Sequence, residues 1–292
     1  MRDAPKVLAE PLGSELRRAL LSPSARARRE ERGWVRRNAA VLLVYGLLLA
    51  AWAIAGSLSL VPAFILPSPL AILNRVARDP GTLVFHSLVT LQEVVFGFLL
   101  AVLFGIPLGV LIVWSRLLER LFYPMLVALQ AIPKVALAPI LVIWFGFGPT
   151  SKVTLAFVTA LFPIVINTVV GLSQTPPEMI HLMRSLGASG LQIFTKVRLI
   201  AAAPQVFGGF KIGITLAMVG AVVGEFIAAN KGLGYFLLIA NNAFDAPLLF
   251  GIVILLSLLS VGLFYSIELL EMLVLPRPLR RSAWKVRPGA GA

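Results

Sequence analysis

The stretch SQTPPEMIHLMRSLGASGLQIFTKVRLIAAAPQ, Ser173–Gln205, decides how this chain is read. It is polar enough to lie in water, yet it separates two long apolar runs. Connections of this length usually carry structure or function of their own. Pro176 and Pro177 suit a helix start, and Glu178 falls in the first turn, where the helix dipole favours an anion. Ile180, Leu182, Met183 and Leu186 follow as an apolar stripe at helical spacing. Gly187 supplies a stop. A second helix is expected through Leu191, Phe194, Lys196 and Arg198. The pattern is helix–Gly–helix with an apolar face, and that face needs either the bilayer surface or another protein.

On both sides of this segment the chain is made for lipid. Of its 292 residues, 59% are hydrophobic and 13% charged. Soluble domains carry about 25% charged residues. A helix needs about 20 mainly apolar residues to cross a bilayer, and six stretches qualify. They run over about 39–60, 88–114, 121–145, 153–172, 206–228 and 248–275, the third interrupted by Pro133 and Pro139. The fold class expected is therefore all-α, a polytopic membrane protein of about six transmembrane helices.

The net charge of +13 would suggest nucleic acid in a soluble chain. Here the positive residues gather at the two ends and in short loops, which is the signature of membrane topology. With the N-terminus inside, 20 of the Lys and Arg fall on the inner side and 4 on the outer side. That places both ends in the cytoplasm: a basic tail at 1–38, a transmembrane domain at 39–276 whose loop at 173–205 is cytoplasmic, and a second basic tail at 277–292. No cleavable signal precedes the first span. Arg26, Arg28, Arg29, Arg32, Arg36 and Arg37 orient that span and could also lie against anionic lipid. Cysteine is absent and only His86 and His181 occur, so thiolate sites and clustered metal ligands are excluded. That leaves little for a metal-dependent membrane enzyme, the weakest of the rival readings.

Several polar residues fall within the spans, where charge is costly and usually faces a bundle interior or a cavity. Lys134 follows Pro133, and Gln130 precedes it by one turn. An anion passing here would meet an ammonium; alternatively Lys134 neutralises Glu93 or Glu225, or reaches an interface. In the fifth span Lys211, Thr215, Met218, Val222 and Glu225 share one helix face, a candidate pathway-facing or dimer-facing surface. Gly208, Gly209, Gly213, Gly220 and Gly224 allow that helix to pack closely. Gln130, Lys134, Lys211, Thr215 and Glu225 are the pathway candidates.

The helix–Gly–helix loop resembles the cytoplasmic loop of the permease subunits of ATP-binding cassette (ABC) importers. Their signature is Glu-Ala-Ala, three residues, Gly, nine residues, then Ile-x-Leu-Pro. Gly187 matches the glycine, and Val197-Arg198-Leu199 matches Ile-x-Leu. His181-Leu182-Met183 replaces Glu-Ala-Ala, and Ile200 stands where the proline is expected. LPSP at Leu66–Pro69, AIPKVALAPILVIWFGFGPTSK at Ala131–Lys152 and NKGLGY at Asn230–Tyr235 resemble the nitrate/sulfonate/taurine group of these permeases. AFDAPLLFGIVIL at Ala243–Leu255 resembles permeases for pyrimidine or flavin precursors.

The resemblance implies the MetI-like permease fold in a bacterial inner membrane and alternating access driven by separate ABC ATPase subunits. It further implies an extracytoplasmic substrate-binding protein and a second permease subunit, an identical copy, within membrane lipid. Met179, Leu182, Met183, Arg184, Ser185, Leu186, Gly187 and Ala188 would form the coupling helix that docks on the ATPase, with Arg184 paired to an acidic rim. No cofactor is expected in this chain, because it contains no G-x-x-x-x-G-K-[ST]; ATP and Mg would be bound by the partner. The rival functions are an ATP-independent secondary transporter or channel, and a purely structural membrane subunit.

Overall fold

A computed structural model describes residues 23–57 and 62–275. Among them the chain forms helices and no strand. In chain order these are α1 (Pro23–Ser57), α2 (Pro69–Val76), α3 (Pro80–Trp114), α4 (Arg116–Gln130), α5 (Ala138–Phe145), α6 (Pro149–Ser173), α7 (Pro177–Ser185), α8 (Gly190–Ile193), α9 (Leu199–Ala228), α10 (Leu233–Asn242) and α11 (Ala246–Val274). The described residues fall into two compact units, one up to Leu70 and one from Ala71 onward. In the first, α1 runs unbroken from the basic segment into its apolar part, Val41–Ser57. The Trp52 indole N–H donates to the Pro67 carbonyl at 3.0 Å. The 277–292 tail, and the start of the 1–38 tail, lie outside the described residues.

Among the described residues, α3, α6, α11 and the run from Gly190 to Ala228 are long and apolar enough to cross a membrane. The expected third span is a broken one. Its two halves, Leu117–Gln130 and Lys134–Phe145, meet at 85°. Pro133 lacks the N–H that would continue the helix, and a 3-10 turn at Lys134–Leu137 restarts it. Proline also stands at the first position of α3, α6 and α7, where its missing N–H has no helical partner to lose.

The core of the second unit is α3, α6 and α9 packed backbone to backbone. Lipid tails are as apolar as leucine, so helices in a bilayer associate by dispersion at close approach, which small residues permit. On α3, Gly97, Ala101, Gly105 and Gly109 are all buried and recur every fourth residue. A Cβ on Gly97 would lie 2.5 Å from the Ala156 methyl, and one on Gly109 would lie 2.7 Å from Thr168 Cβ. The two helices therefore run parallel in a fixed register. On α9, a Cβ at Gly209 would meet Asn167 at 2.7 Å and one at Gly220 would meet Thr159 Oγ1 at 2.4 Å, so α9 runs antiparallel to α6. Gly208 has open space beside it and contributes nothing to this seam. Met218 and Val222 join the same core with Phe98 and Ile214, so that part of the expected pathway stripe on α9 is packed inside the bundle.

Candidate functional site

The helix–Gly–helix element forms as its residues dictate. Helix α7 begins at Pro177 with Glu178 in its first turn. It stops because Gly187 takes a left-handed φ of 78°. The Gly187 N–H donates to the Arg184 carbonyl at 2.9 Å and the Ala188 N–H to the Met183 carbonyl at 3.0 Å. This paired closure satisfies the last carbonyls of the helix. Two residues on, Ser189 and Gln192 cap α8 reciprocally. The Gln192 N–H donates to Ser189 Oγ at 3.3 Å, and the Ser189 N–H donates to Gln192 Oε1 at 2.8 Å.

The second helix differs from expectation in one respect. It is not a separate element but the start of the fifth span. α8 passes through a π turn at Phe194–Arg198 directly into α9, giving one helical run from Gly190 to Ala228. Ile200 keeps the N–H that a proline would lack, so nothing interrupts the ladder at that point. The α7–Gly187 corner is thus joined through Ala188 and Ser189 directly to the helix of a membrane span.

The expected apolar stripe divides: Met179, Leu182 and Leu186 stand exposed on one face of α7, and Ile180 turns to the other. Met179 is 48% exposed, Leu182 62% and Leu186 73%. Ile180 and Met183 are half-buried, and Ser185 is exposed with its hydroxyl donating to the His181 carbonyl. Ile180, Arg184 and Ala188 lie along the opposite side and line a cleft between α7 and the end of α3.

The charged residues within the spans pair differently from the sequence expectation. Lys134 is joined to neither Glu93 nor Glu225. Its ammonium donates to the Gln130 carbonyl at 2.9 Å and sits 5.4 Å from the Phe162 ring centre. It also lines a cavity of about 140 Å³ with Thr159, Leu216 and Val219. Lys211 is ion-paired to Glu271 at 2.6 Å, and the Thr215 hydroxyl bonds back to its own helix. Glu225 is fully buried. The five pathway candidates therefore do not form one surface: Gln130 and Lys134 lie together, whereas Lys211 and Glu225 are turned to protein partners.

Around Glu225 the structure builds a cluster that the sequence did not reveal. The Thr90 hydroxyl donates to Glu225 Oε1 at 2.6 Å and accepts the Leu233 N–H at 2.8 Å. The Gly234 N–H donates to Glu225 Oε2. The Gly232 N–H donates to His86 Nδ1 at 2.9 Å. Glu93 Oε1 lies 3.4 Å from the Lys152 ammonium, and Glu93 Oε2 is buried without a hydrogen-bond partner among the described residues. The cluster pins the NKGLGY turn onto α3 and α9, and the Lys152–Glu93 pair ties α6 to α3 beside it. Gly232 sits at φ 104°, with the Glu225 carboxylate filling the place of a Cβ. Lys152 is one of the four Lys and Arg that the charge count assigns to the outer side, just before the fourth apolar run; Pro149 starts α6 before it and carries it inside. The available signal was the proline, three residues earlier.

A protein-family model described as "Binding-protein-dependent transport system inner membrane component" matches residues 97–279. This chain belongs to that family. It is an ABC transporter permease, a multi-pass membrane component with the expected all-helical fold. The permease is 41% identical to the riboflavin transport system permease protein RibX of Chloroflexus aurantiacus, over 78% of this chain and 86% of RibX. It is 38% identical to the formylaminopyrimidine transport permease protein ThiX of Halalkalibacterium halodurans, over 80% of this chain and 94% of ThiX. The taurine transport system permease protein TauC of Escherichia coli is 31% identical, over 64% of this chain and 71% of TauC. Among solved structures, an inward-facing form of the MetNI methionine ABC transporter superposes with a TM-score of 0.59 at 20% identity, over 67% of this permease and 97% of that chain. That likeness bears on the fold alone.

Proposed function

We propose that this permease couples to separate ABC ATPase subunits through α7, and imports a solute handed to it by an extracytoplasmic binding protein. The observation that carries this reading is the exposed Met179, Leu182 and Leu186 face on a short helix whose corner is locked by Gly187 and whose continuation is a membrane span. The apolar side chains would fill a groove on the ATPase, with Met183 beneath them. Ser185, Gly187 and Ala188 would hold the corner. Closure of an ATPase dimer would then move the spans as rigid bodies.

In this reading ATP and Mg are bound by the partner, two identical permease copies pair in the bilayer, and both termini and the Ser173–Gln205 loop are cytoplasmic. Tagged permease purified from its own membranes should carry an ABC ATPase with it, and Leu182→Asp with Leu186→Asp should release it. Retention of the ATPase by that double variant, or uptake that continues without ATP, overturns the proposal.

For the cargo, the relatives and the spans favour different chemistries. The relatives at 41% and 38% identity carry riboflavin and formylaminopyrimidine in their names, which favours a vitamin precursor with a heterocyclic ring. Lys134, lining a cavity with no carboxylate paired to it among the described residues, favours a nitrate, sulfonate or taurine-like anion. Uptake of labelled riboflavin, formylaminopyrimidine and taurine separates the two. Under the anion reading, Lys134→Met should abolish taurine uptake.

A further inference from the structure

The cleft behind α7 has a composition that neither coupling nor translocation uses. It encloses about 320 Å³ between the end of α3 and the α7–α8 corner. Val110, Val113 and Ile193 form an aliphatic wall. Trp114 and Phe194 meet edge to face, ring centres 6.4 Å apart, and form an aromatic one. Arg184 and Arg198 complete the lining, one from α7 and one from the π turn. Among the described residues neither guanidinium has an ion pair or a hydrogen-bond partner. Arg75, Lys152 and Lys211 each face a carboxylate, whereas Arg78, Arg120, Lys134, Lys196 and Lys231 have no ion pair among the described residues. What sets Arg184 and Arg198 apart is that two guanidiniums line one apolar cleft. Two unpaired guanidiniums on one apolar cleft leave a site short of an anion. That anion must carry a hydrophobic part to cover the valines and rings.

We propose that this cleft binds the headgroup of an anionic phospholipid, with its phosphate held between Arg184 and Arg198 and the upper part of an acyl chain laid against Val110, Val113 and Trp114. Guanidinium matches phosphate through paired N–H donors, and tryptophan favours the level of the lipid headgroups. Arg184 is then a lipid ligand on the cleft side of α7, rather than a partner for an acidic rim. The bound lipid spans the corner between α7 and α3, so it would stiffen the element that couples. The proposal concerns the permease alone and stands or falls separately from ATPase docking.

The test uses purified full-length permease and native mass spectrometry, with equimolar phosphatidylglycerol and phosphatidylcholine supplied as competitors. One phosphatidylglycerol should be retained per chain and preferred several-fold, because the choline ammonium of phosphatidylcholine offsets its phosphate beside the two guanidiniums. Arg184→Gln with Arg198→Gln should bring the preference to parity. Val113→Trp, which fills the apolar wall and leaves both charges, should also lose the lipid, whereas Lys196→Gln on the neighbouring surface should keep it. Equal retention of the two lipids by the unaltered protein sinks the proposal. So does an unchanged preference in the double arginine variant. Displacement of the lipid by excess inorganic phosphate would instead make the cleft a site for a soluble anion, and would overturn the lipid assignment.

Discussion

The two ends of the α3–α6–α9 bundle are finished to different degrees. At the end carrying Asn230–Tyr235, the side chains of Glu225, Thr90, His86 and Lys152 are each hydrogen-bonded or ion-paired within the chain, and Gly232 leaves room for a carboxylate. At the end carrying Ser173–Gln205, leucines stand in the open and Arg184 and Arg198 lack counter-ions among the described residues. Buried charge without a partner costs several kcal/mol in a low-dielectric interior, so the first end satisfies nearly all of its buried polar side chains as the chain folds, Glu93 Oε2 being the exception among the described residues. The second end lies at the surface, where incompleteness is tolerated until something else arrives. One end is a pin and the other is a socket.

The contrast would break if substitutions at both ends had the same kind of consequence. The largest effect belongs to the pin. Lys152→Met removes the cation from two neighbouring carboxyls, and should lower stability by about 3–5 kcal/mol, read by chemical denaturation in detergent. Gly232→Ala comes next. A methyl there meets the Glu225 carboxylate and the backbone resists a left-handed φ, together about 2 kcal/mol, read by the same assay and by faster amide exchange over Leu233–Asn242. At the socket, Gly187→Ala has open space around it and only the left-handed φ to strain, so about 1 kcal/mol is expected, confined to α7. Leu182→Ser should change the stability of the isolated permease by less than about 0.5 kcal/mol. Its transport should nonetheless fall, and a matching loss of stability would erase the distinction drawn here.

The smallest effect sharpens the contrast from outside both ends. Asp79 caps α3, and hydrogen bonds from Thr82 hold its carboxyl below the usual range. Because the folded value is the lower one, the cap contributes above the unfolded carboxyl's pKa and is lost as pH falls through the folded value. Protection of the Thr82 amide should therefore decline in acid, and Asp79→Asn should remove that dependence.

Much of this architecture is legible in the order of residues. Hydropathy marks the ends of the spans at Trp114, Ser173, Ala228 and Val274 closely. The helices of the second and fifth spans, however, start well before their apolar stretches, and the apolar part of the first, Val41–Ser57, is a shorter helix than a crossing needs. Pro177 and Gly187 mark both limits of α7, because each acts through its own backbone. Pro133 signals the break in the third span but not its angle. The candidate polar residues were harder to place. Lys134 and Glu225 look like natural partners on the scale of charge alone, yet Glu225 meets Thr90 and Gly234, and Glu93 takes Lys152. Which acid meets which base depends on how each helix is rotated and at what depth it sits, and neighbours in sequence say little about either.

By itself, then, the sequence determined the helices, their membrane setting, the helix–Gly–helix corner and the family to which the chain belongs. Those properties rest on local backbone chemistry and on transfer from water to lipid, both of which are read residue by residue. Only the tertiary structure decided that Lys152 serves Glu93, that the Asn230–Tyr235 turn is tied to α3, and that Arg184 and Arg198 share one cleft. Such pairings arise from close packing of small residues distant in the chain, which sets the register of whole helices and with it the company that every side chain keeps.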